Sequence, residues 1–191
     1  MDIFDIVKDK FKDISDKGTG APYYWHLIRC AIRLGSNATK KEILVALLHD
    51  ILEDTDTVEE DLRKLNIPED VIKSIKLCSN IYYKDITHKE WMRVINVSND
   101  VMGIKAKAVD LSDNFSVERL KGLVIYLSEN EKPKISKKLK KEDQIFKRVK
   151  RFINKRSYGL SVRFFEDLEI ISKSNENILK DLNLSSFGSY E

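Results

Sequence analysis

Apolar residues recur every three or four positions along nearly the whole chain, and that is the period of an α-helix. Strict alternation, the mark of a half-buried strand, is hard to find. Only three prolines and seven glycines among 191 residues interrupt the pattern. The chain is therefore expected to be all-α, a bundle of helices with short connections. Ile3, Val7, Phe11 and Ile14 form one stripe, ended by Gly18 and Gly20. A second helix is predicted from Pro22, a favoured first-turn residue, to Leu34, with Gly35 as its stop. Thr39 with Glu42 three residues on reads as a capping box, opening a helix that continues through Leu52. Further helices are predicted to begin at Thr57, Pro68 and Thr87, and to cover 104–115, 117–127, 136–154 and 161–182.

The length suits one domain, expected over residues 1–182, with a Ser-rich flexible tail at 183–191. The longest unbroken apolar run, residues 43–48, is far short of the roughly 20 residues that span a bilayer, so no membrane segment is expected. The N-terminus lacks a basic stretch followed by an apolar one, and no secretion signal is read there. Cys30 and Cys78 lie in apolar helical patterns and read as buried reduced thiols of a cytoplasmic protein. Net charge is only +3, but residues 132–156 hold twelve Lys and Arg against two acids, leaving −7 elsewhere. The dense lysines, an insertion near 132–144, read as a solvated loop rather than a nucleic-acid surface. Tyr24, Trp25 and Trp91 are expected to be core residues, and His88 an exposed one.

One helix carries an unusual burden. Residues 42–54 combine Ile43, Leu44, Val45, Leu47, Leu48, Ile51 and Leu52 with His49, Asp50, Glu53 and Asp54. At 3.6 residues per turn, His49 lies near Glu53 and Asp50 near Asp54. Burying carboxylates beside an imidazole is costly unless a cation or full hydrogen bonding compensates. Two more candidates sit in apolar helical patterns: His26 in Tyr23-Tyr24-Trp25-His26-Leu27, and Asp110 in Val109-Asp110-Leu111. Taken alone, a buried histidine is more often a satisfied core residue, and Asp110 has Lys107 within pairing reach. Together, two imidazoles and two carboxylates suit one Mn²⁺, Fe²⁺ or Zn²⁺ with water in the open positions.

His…His-Asp…Asp is similar to the signature of the HD superfamily. More closely, the chain resembles the hydrolase domain of RelA/SpoT-type alarmone enzymes, in particular the small stand-alone SpoT homologues. Three stretches carry the resemblance, over residues 17–115 or so. Leu48-His49-Asp50-Ile51-Leu52-Glu53-Asp54-Thr55 resembles the family's Leu-His-Asp-x-x-Glu-Asp-Thr. Gly20-Ala21-Pro22-Tyr23-Tyr24-Trp25-His26 resembles its Gly-x-Pro-Tyr-x-x-His, and Lys107-Ala108-Val109-Asp110 through Asn114 its Lys-Leu-Ala-Asp-x-x-x-Asn. The resemblance implies an HD-domain helical bundle and one divalent metal, Mn²⁺, on His26, His49, Asp50 and Asp110. It implies Glu53 and Asp54 as the groups that orient or deprotonate the attacking water. Lys17, Tyr23, Asn114 and Arg148 would contact the nucleotide. The implied reaction removes the 3′-pyrophosphate of guanosine tetra- or pentaphosphate, giving GDP or GTP and pyrophosphate.

The sequence departs from the family pattern at Leu27, where Pro is usual, and at Cys78-Ser79-Asn80-Ile81, where an aspartate-rich turn is usual. Ser116 and Phe152 replace a usual Arg and Tyr. These changes touch the substrate pocket and leave the metal residues in place. Two other readings stand beside the first: an HD phosphohydrolase of deoxynucleotides or another modified nucleotide, and a catalytically silent nucleotide- or nucleic-acid-binding module. A nucleotide partner is expected, a nucleic acid is not, and the sequence carries no reading of oligomeric state. No phosphate-binding glycine loop and no Gly-x-Ser-x-Gly elbow is present.

Overall fold

The computed structural model describes residues 2–16, 19–114 and 116. Within them the chain is helical, and the sole extended feature is an isolated antiparallel bridge between Ser15 and Pro22. The helices are α1 (Ile3–Lys10), α2 (Tyr24–Arg33), α3 (Lys40–Leu48), α4 (Ile51–Asp54), α5 (Glu59–Lys64), α6 (Glu69–Cys78), α7 (His88–Val97) and α8 (Val101–Asn114). A single 3-10 turn, Asn80–Tyr82, follows α6.

Local signals set most of these boundaries. The Thr39 hydroxyl accepts from the Glu42 amide while the Glu42 carboxylate accepts from the Thr39 amide, so two otherwise unpaired donors are satisfied at the start of α3. Thr87 and Glu90 repeat the device at α7. Asn66 takes a positive φ of 58° just past α5, the left-handed conformation that commonly ends a helix. Gly35 does the same after α2, with φ 82°.

α3 is the centre of the fold. Val45, Ala46, Leu47 and Leu48 are all buried, and four consecutive residues point in every direction around a helix. Such a helix needs neighbours on all sides, and α2, α6 and α8 supply them. Leu47 and Leu48 join Phe11, Leu27, Ile72 and Ile75 in the main core, while Ala46 meets Ala108 and Val109 of α8. Because Leu47 is wholly enclosed, Leu47→Ala is expected to cost about 2–5 kcal/mol. Urea unfolding would show this as a lower midpoint at unchanged slope.

The structure departs from the sequence expectation where chemistry is expected. The helix does not run unbroken from Thr39 through Leu52. It stops at Leu48, turns through His49 and Asp50, and restarts at Ile51. Asp50 has φ −100° and ψ −1°, and its carbonyl accepts from both Glu53 and Asp54. His49 keeps helical dihedrals, φ −59° and ψ −29°, so the departure is at Asp50, and both side chains meet residues of α2 and α8. Trp25, expected in the core, is 47% exposed, because the core face of α2 is taken by His26, Leu27 and Cys30. His88 is half-buried and stacks edge-on against Trp91, where an exposed position was expected. Trp91 is a core residue, its indole donating to the Leu77 carbonyl. Cys30 and Cys78 are buried free thiols. Lys17, Arg148, the basic segment 132–156 and the predicted helices beyond residue 116 lie outside the described residues.

Candidate metal centre

Three elements converge on one buried point. α2 brings His26, the turn between α3 and α4 brings His49 and Asp50, and α8 brings Asp110. His26 Nε2 lies 3.7 Å from Asp50 Oδ2 and 3.4 Å from Asp110 Oδ1. His49 Nε2 lies 3.0 Å from Asp50 Oδ2 and 3.7 Å from Asp110 Oδ1. Donors bonded to one cation at about 2.1 Å stand about 3.0 Å apart on an octahedron and about 3.4 Å apart on a tetrahedron. Two of the observed separations, 3.0 and 3.4 Å, fall at that spacing, and the two at 3.7 Å are slightly wider.

The second nitrogen of each ring shows which atom is offered. His49 Nδ1 is 2.8 Å from the Ala46 carbonyl, which can only accept, so Nδ1 carries the proton. The Nε2 lone pair is then left for the site, and this fully buried atom makes no hydrogen bond of acceptable geometry. His26 Nδ1 is 2.8 Å from Asp113 Oδ2, which holds the proton on that nitrogen and leaves His26 Nε2 facing the carboxylates. An orphaned buried nitrogen between two carboxylates, with its tautomer fixed from behind, fits a divalent cation.

Other groups brace the carboxylates. The Tyr23 hydroxyl donates to Asp50 Oδ2 at 2.7 Å, and the Tyr23 ring stacks on Phe11 at 5.6 Å. Tyr23, expected to contact the nucleotide, thus also meets Asp50, one of the expected metal ligands. Asn114 donates its amide to Asp110 Oδ1. Lys107 pairs with Asp110 Oδ2 at 2.8 Å and lies over the Trp91 ring at 4.6 Å. The Lys107 pair therefore coexists with the approach of Asp110 to both imidazoles.

Cys30 also approaches, and its sulfur groups with donor nitrogens of His26 and His49 within 4.8 Å. Its Sγ is 3.7 Å from His26 Nδ1 and 3.8 Å from His26 Nε2. A cation in line with Nε2 lies on the side away from Nδ1. A sulfur equidistant from both nitrogens is beside the ring, so Cys30 packs against the imidazole rather than completing the donor set.

Electrostatics follow from the crowding. Burial disfavours the charged form of His49, yet Asp50 and Asp110 outweigh it and raise its pKa well above the ordinary value. His26 is raised likewise, against its burial, by Cys30, Asp110 and Asp113. Burial alone would raise Asp50, but the neighbouring His49 brings it down to about 2. These shifts describe protons held where a cation would compete with them.

Glu53 and Asp54 occupy the first turn after the break. Glu53 accepts from the Asn80 backbone amide at 2.9 Å and from the Asn80 side chain at 2.7 Å, one bond to each oxygen. Burial raises the Glu53 pKa despite the Asn80 amide. Asp54 is exposed. The segment at 78–81, where the sequence departs from the family pattern, thus holds a candidate catalytic carboxylate. Sequence reasoning assigned no role to Asn80, Asp113 or Arg29.

No family model matches the sequence. A curated relative, guanosine-3′,5′-bis(diphosphate) 3′-pyrophosphohydrolase of Aquifex aeolicus (strain VF5), is 32% identical over a 116-residue alignment. The match covers 58% of this chain and spans 16% of that protein's length. A solved structure, described as a metazoan orthologue of SpoT that hydrolyses ppGpp, superimposes with a TM-score of 0.61 at 20% identity. That match covers 96% of this chain and 94% of the other. The chain thus has the fold of a SpoT-type hydrolase, and it resembles RelA/SpoT-type HD hydrolases in both sequence and fold.

Proposed function

We propose that the chain is a metal-dependent phosphohydrolase that removes the 3′-pyrophosphate from guanosine tetra- or pentaphosphate, with one Mn²⁺ on His26, His49, Asp50 and Asp110. The carrying observation is the meeting of those four donors, both histidines presenting Nε2, beside a Glu-Asp pair. The similarity to named ppGpp hydrolases supports this choice of substrate. We assign the activity to one domain over residues 1–182. The location we propose is cytoplasmic; no helix among the described residues is long and apolar enough to cross a membrane.

When bound, a divalent cation lowers the pKa of water and polarises a phosphoryl oxygen. The residues do the rest. The Ala46 carbonyl, accepting from Nδ1, keeps the His49 ring oriented. Tyr23 and Asn114 hold Asp50 and Asp110. Glu53, fixed by Asn80, and Asp54 orient the attacking water and take its proton. The water oxygen bonds to the phosphorus at the ribose 3′ oxygen, that P–O bond breaks, and the nucleoside oxygen regains a proton as pyrophosphate leaves. Tyr23, Asn114, Lys17 and Arg148 are proposed to contact the nucleotide. The test is incubation with Mn²⁺ and a nucleotide panel including ppGpp, with products resolved by chromatography. GDP and pyrophosphate are expected from ppGpp; cleavage of deoxynucleotides alone would move the substrate to the second enzyme reading.

The pKa shifts give a pH dependence. His26 and His49 are raised on folding, so their stabilisation of the metal-free protein is complete below about pH 6.5 and is lost as pH rises through the raised values. Asp50 and Asp110 are lowered, so theirs is complete above about pH 4 and is lost only as pH falls further. Mn²⁺ must displace the imidazole protons, and its affinity should rise with pH. Each tenfold gain adds about 1.4 kcal/mol of stabilisation at saturating metal. The melting-temperature increase caused by a fixed Mn²⁺ concentration is therefore expected to be larger at pH 8 than at pH 6. Equal increases would mean that the imidazoles are not the groups bound.

A further inference from the structure

Behind His26 lies a buried charge cluster that the proposed reaction does not explain. Asp113 is fully enclosed, one turn beyond Asp110 on α8. Its Oδ2 meets His26 Nδ1 at 2.8 Å. Arg29, one turn beyond His26 on α2, forks onto the same carboxylate: Nε to Oδ1 at 2.8 Å and Nη2 to Oδ2 at 2.9 Å. Arg33 adds a 3.3 Å bond to Oδ1, and Arg29 reaches on to buried Asp16 at 3.1 Å.

An isolated buried carboxylate would be costly, and beside an imidazole it would draw a full positive charge onto the ring. A forked guanidinium meets the first of these costs. It satisfies the carboxylate in plane and cancels its charge, and it leaves one lone pair directed at His26. Asp113 then acts as a fixed acceptor for the proton on His26 Nδ1, the ring nitrogen turned away from the site. With both oxygens held, it cannot swing forward to become a further ligand.

We propose that Asp113, locked by Arg29, is the positioning residue for His26: it fixes the proton on Nδ1 and so sets the affinity of the site for a divalent cation. This rests on the metal reading above. The competing role is a purely structural tie between α2 and α8, which the same salt bridges would also serve. A carboxylate behind a metal-binding histidine typically contributes 10–100-fold in metal affinity.

The test has two arms. In the first, Mn²⁺ dissociation constants are measured by chelator competition for the native protein, Asp113→Asn and Asp16→Asn. The last variant loosens Arg29 without touching His26. Asp113→Asn is expected to bind Mn²⁺ about 10–100-fold more weakly, and Asp16→Asn within about twofold of native. The second arm needs no variant. Nitrogen-15 NMR of histidine-labelled native protein loaded with Zn²⁺ is expected to show His26 protonated at Nδ1 and metal-bound at Nε2. Native affinity in Asp113→Asn, an equal loss in Asp16→Asn, or the opposite tautomer in native protein overturns the positioning role while leaving the metal site intact. A native protein that takes up neither Mn²⁺ nor Zn²⁺ overturns the metal reading and this proposal with it.

Discussion

His49→Ala and Asp110→Ala are each expected to abolish stoichiometric metal binding and, with it, measurable hydrolysis. His49 contributes a buried nitrogen whose ring proton is already committed to the Ala46 carbonyl, so no other atom of that residue can serve. Alanine removes this donor and leaves space that no neighbour's side chain fills. Asp110 Oδ1 lies within 3.7 Å of both imidazole Nε2 atoms, and its loss takes away the negative charge shared between them. It also strips buried Lys107 of a carboxylate at 2.8 Å, leaving that ammonium without this counter-charge beside the site. Removing a direct ligand should exceed the 10–100-fold effect of losing an outer partner. Elemental analysis after desalting would show about one metal per chain in the parent and none in either variant. Full occupancy in both would remove the central claim about this site.

How far the sequence disclosed this arrangement depends on the range of the interactions involved. Thr39 with Glu42 and Thr87 with Glu90 act over three residues, so both helix starts were legible and both hold. The break at His49 and Asp50 was not. Leu47 and Leu48 before it and Ile51 and Leu52 after it are buried on either side, so the apolar pattern runs through the turn as if the helix continued. The Ser79 hydroxyl just past α6 lies 3.4 Å from the His49 carbonyl, a contact across 30 residues that no local pattern announces. Trp25 was misplaced for a related reason, since a side chain's hydrophobicity does not say which face of α2 the imidazole will claim. The meeting of His26, His49, Asp50 and Asp110 was legible because each is a charge or imidazole inside an apolar pattern. Asp113 was not singled out, although its spacing from Asp110 matches that of Arg29 from His26, three residues in each case. Two helices that pack with such matched pairs can exchange contacts at two levels, and this is the signal that could have found it. The Asn80 clamp on Glu53 spans 27 residues and joins a turn to a helix end, and no local pattern announces it.

The clamp bears on the last prediction. Glu53→Gln and Asp54→Asn are each expected to retain the metal and lose most turnover, about 10²–10⁴-fold in kcat. Neither side chain belongs to the four donors, so metal content should match the parent. Glu53 is held by the Asn80 amide and side chain, which aim one carboxylate rather than letting it wander. Burial raises its pKa, which makes its ionised form a better proton acceptor than a free glutamate. The glutamine amide of the Glu53→Gln variant would be nearly the same shape, but it cannot take a proton, and one of its two ends would present a donor to Asn80. Asp54 on the exposed side of the same turn would lose its charge with little change in shape. The raised pKa also fixes the sign of the pH dependence. Parent turnover should fall as pH drops through the Glu53 value, and Glu53→Gln should lack that limb. Rates measured with metal content verified in the same samples separate loss of the base from loss of the cation. Parent-level hydrolysis by both variants would mean that another group activates the water.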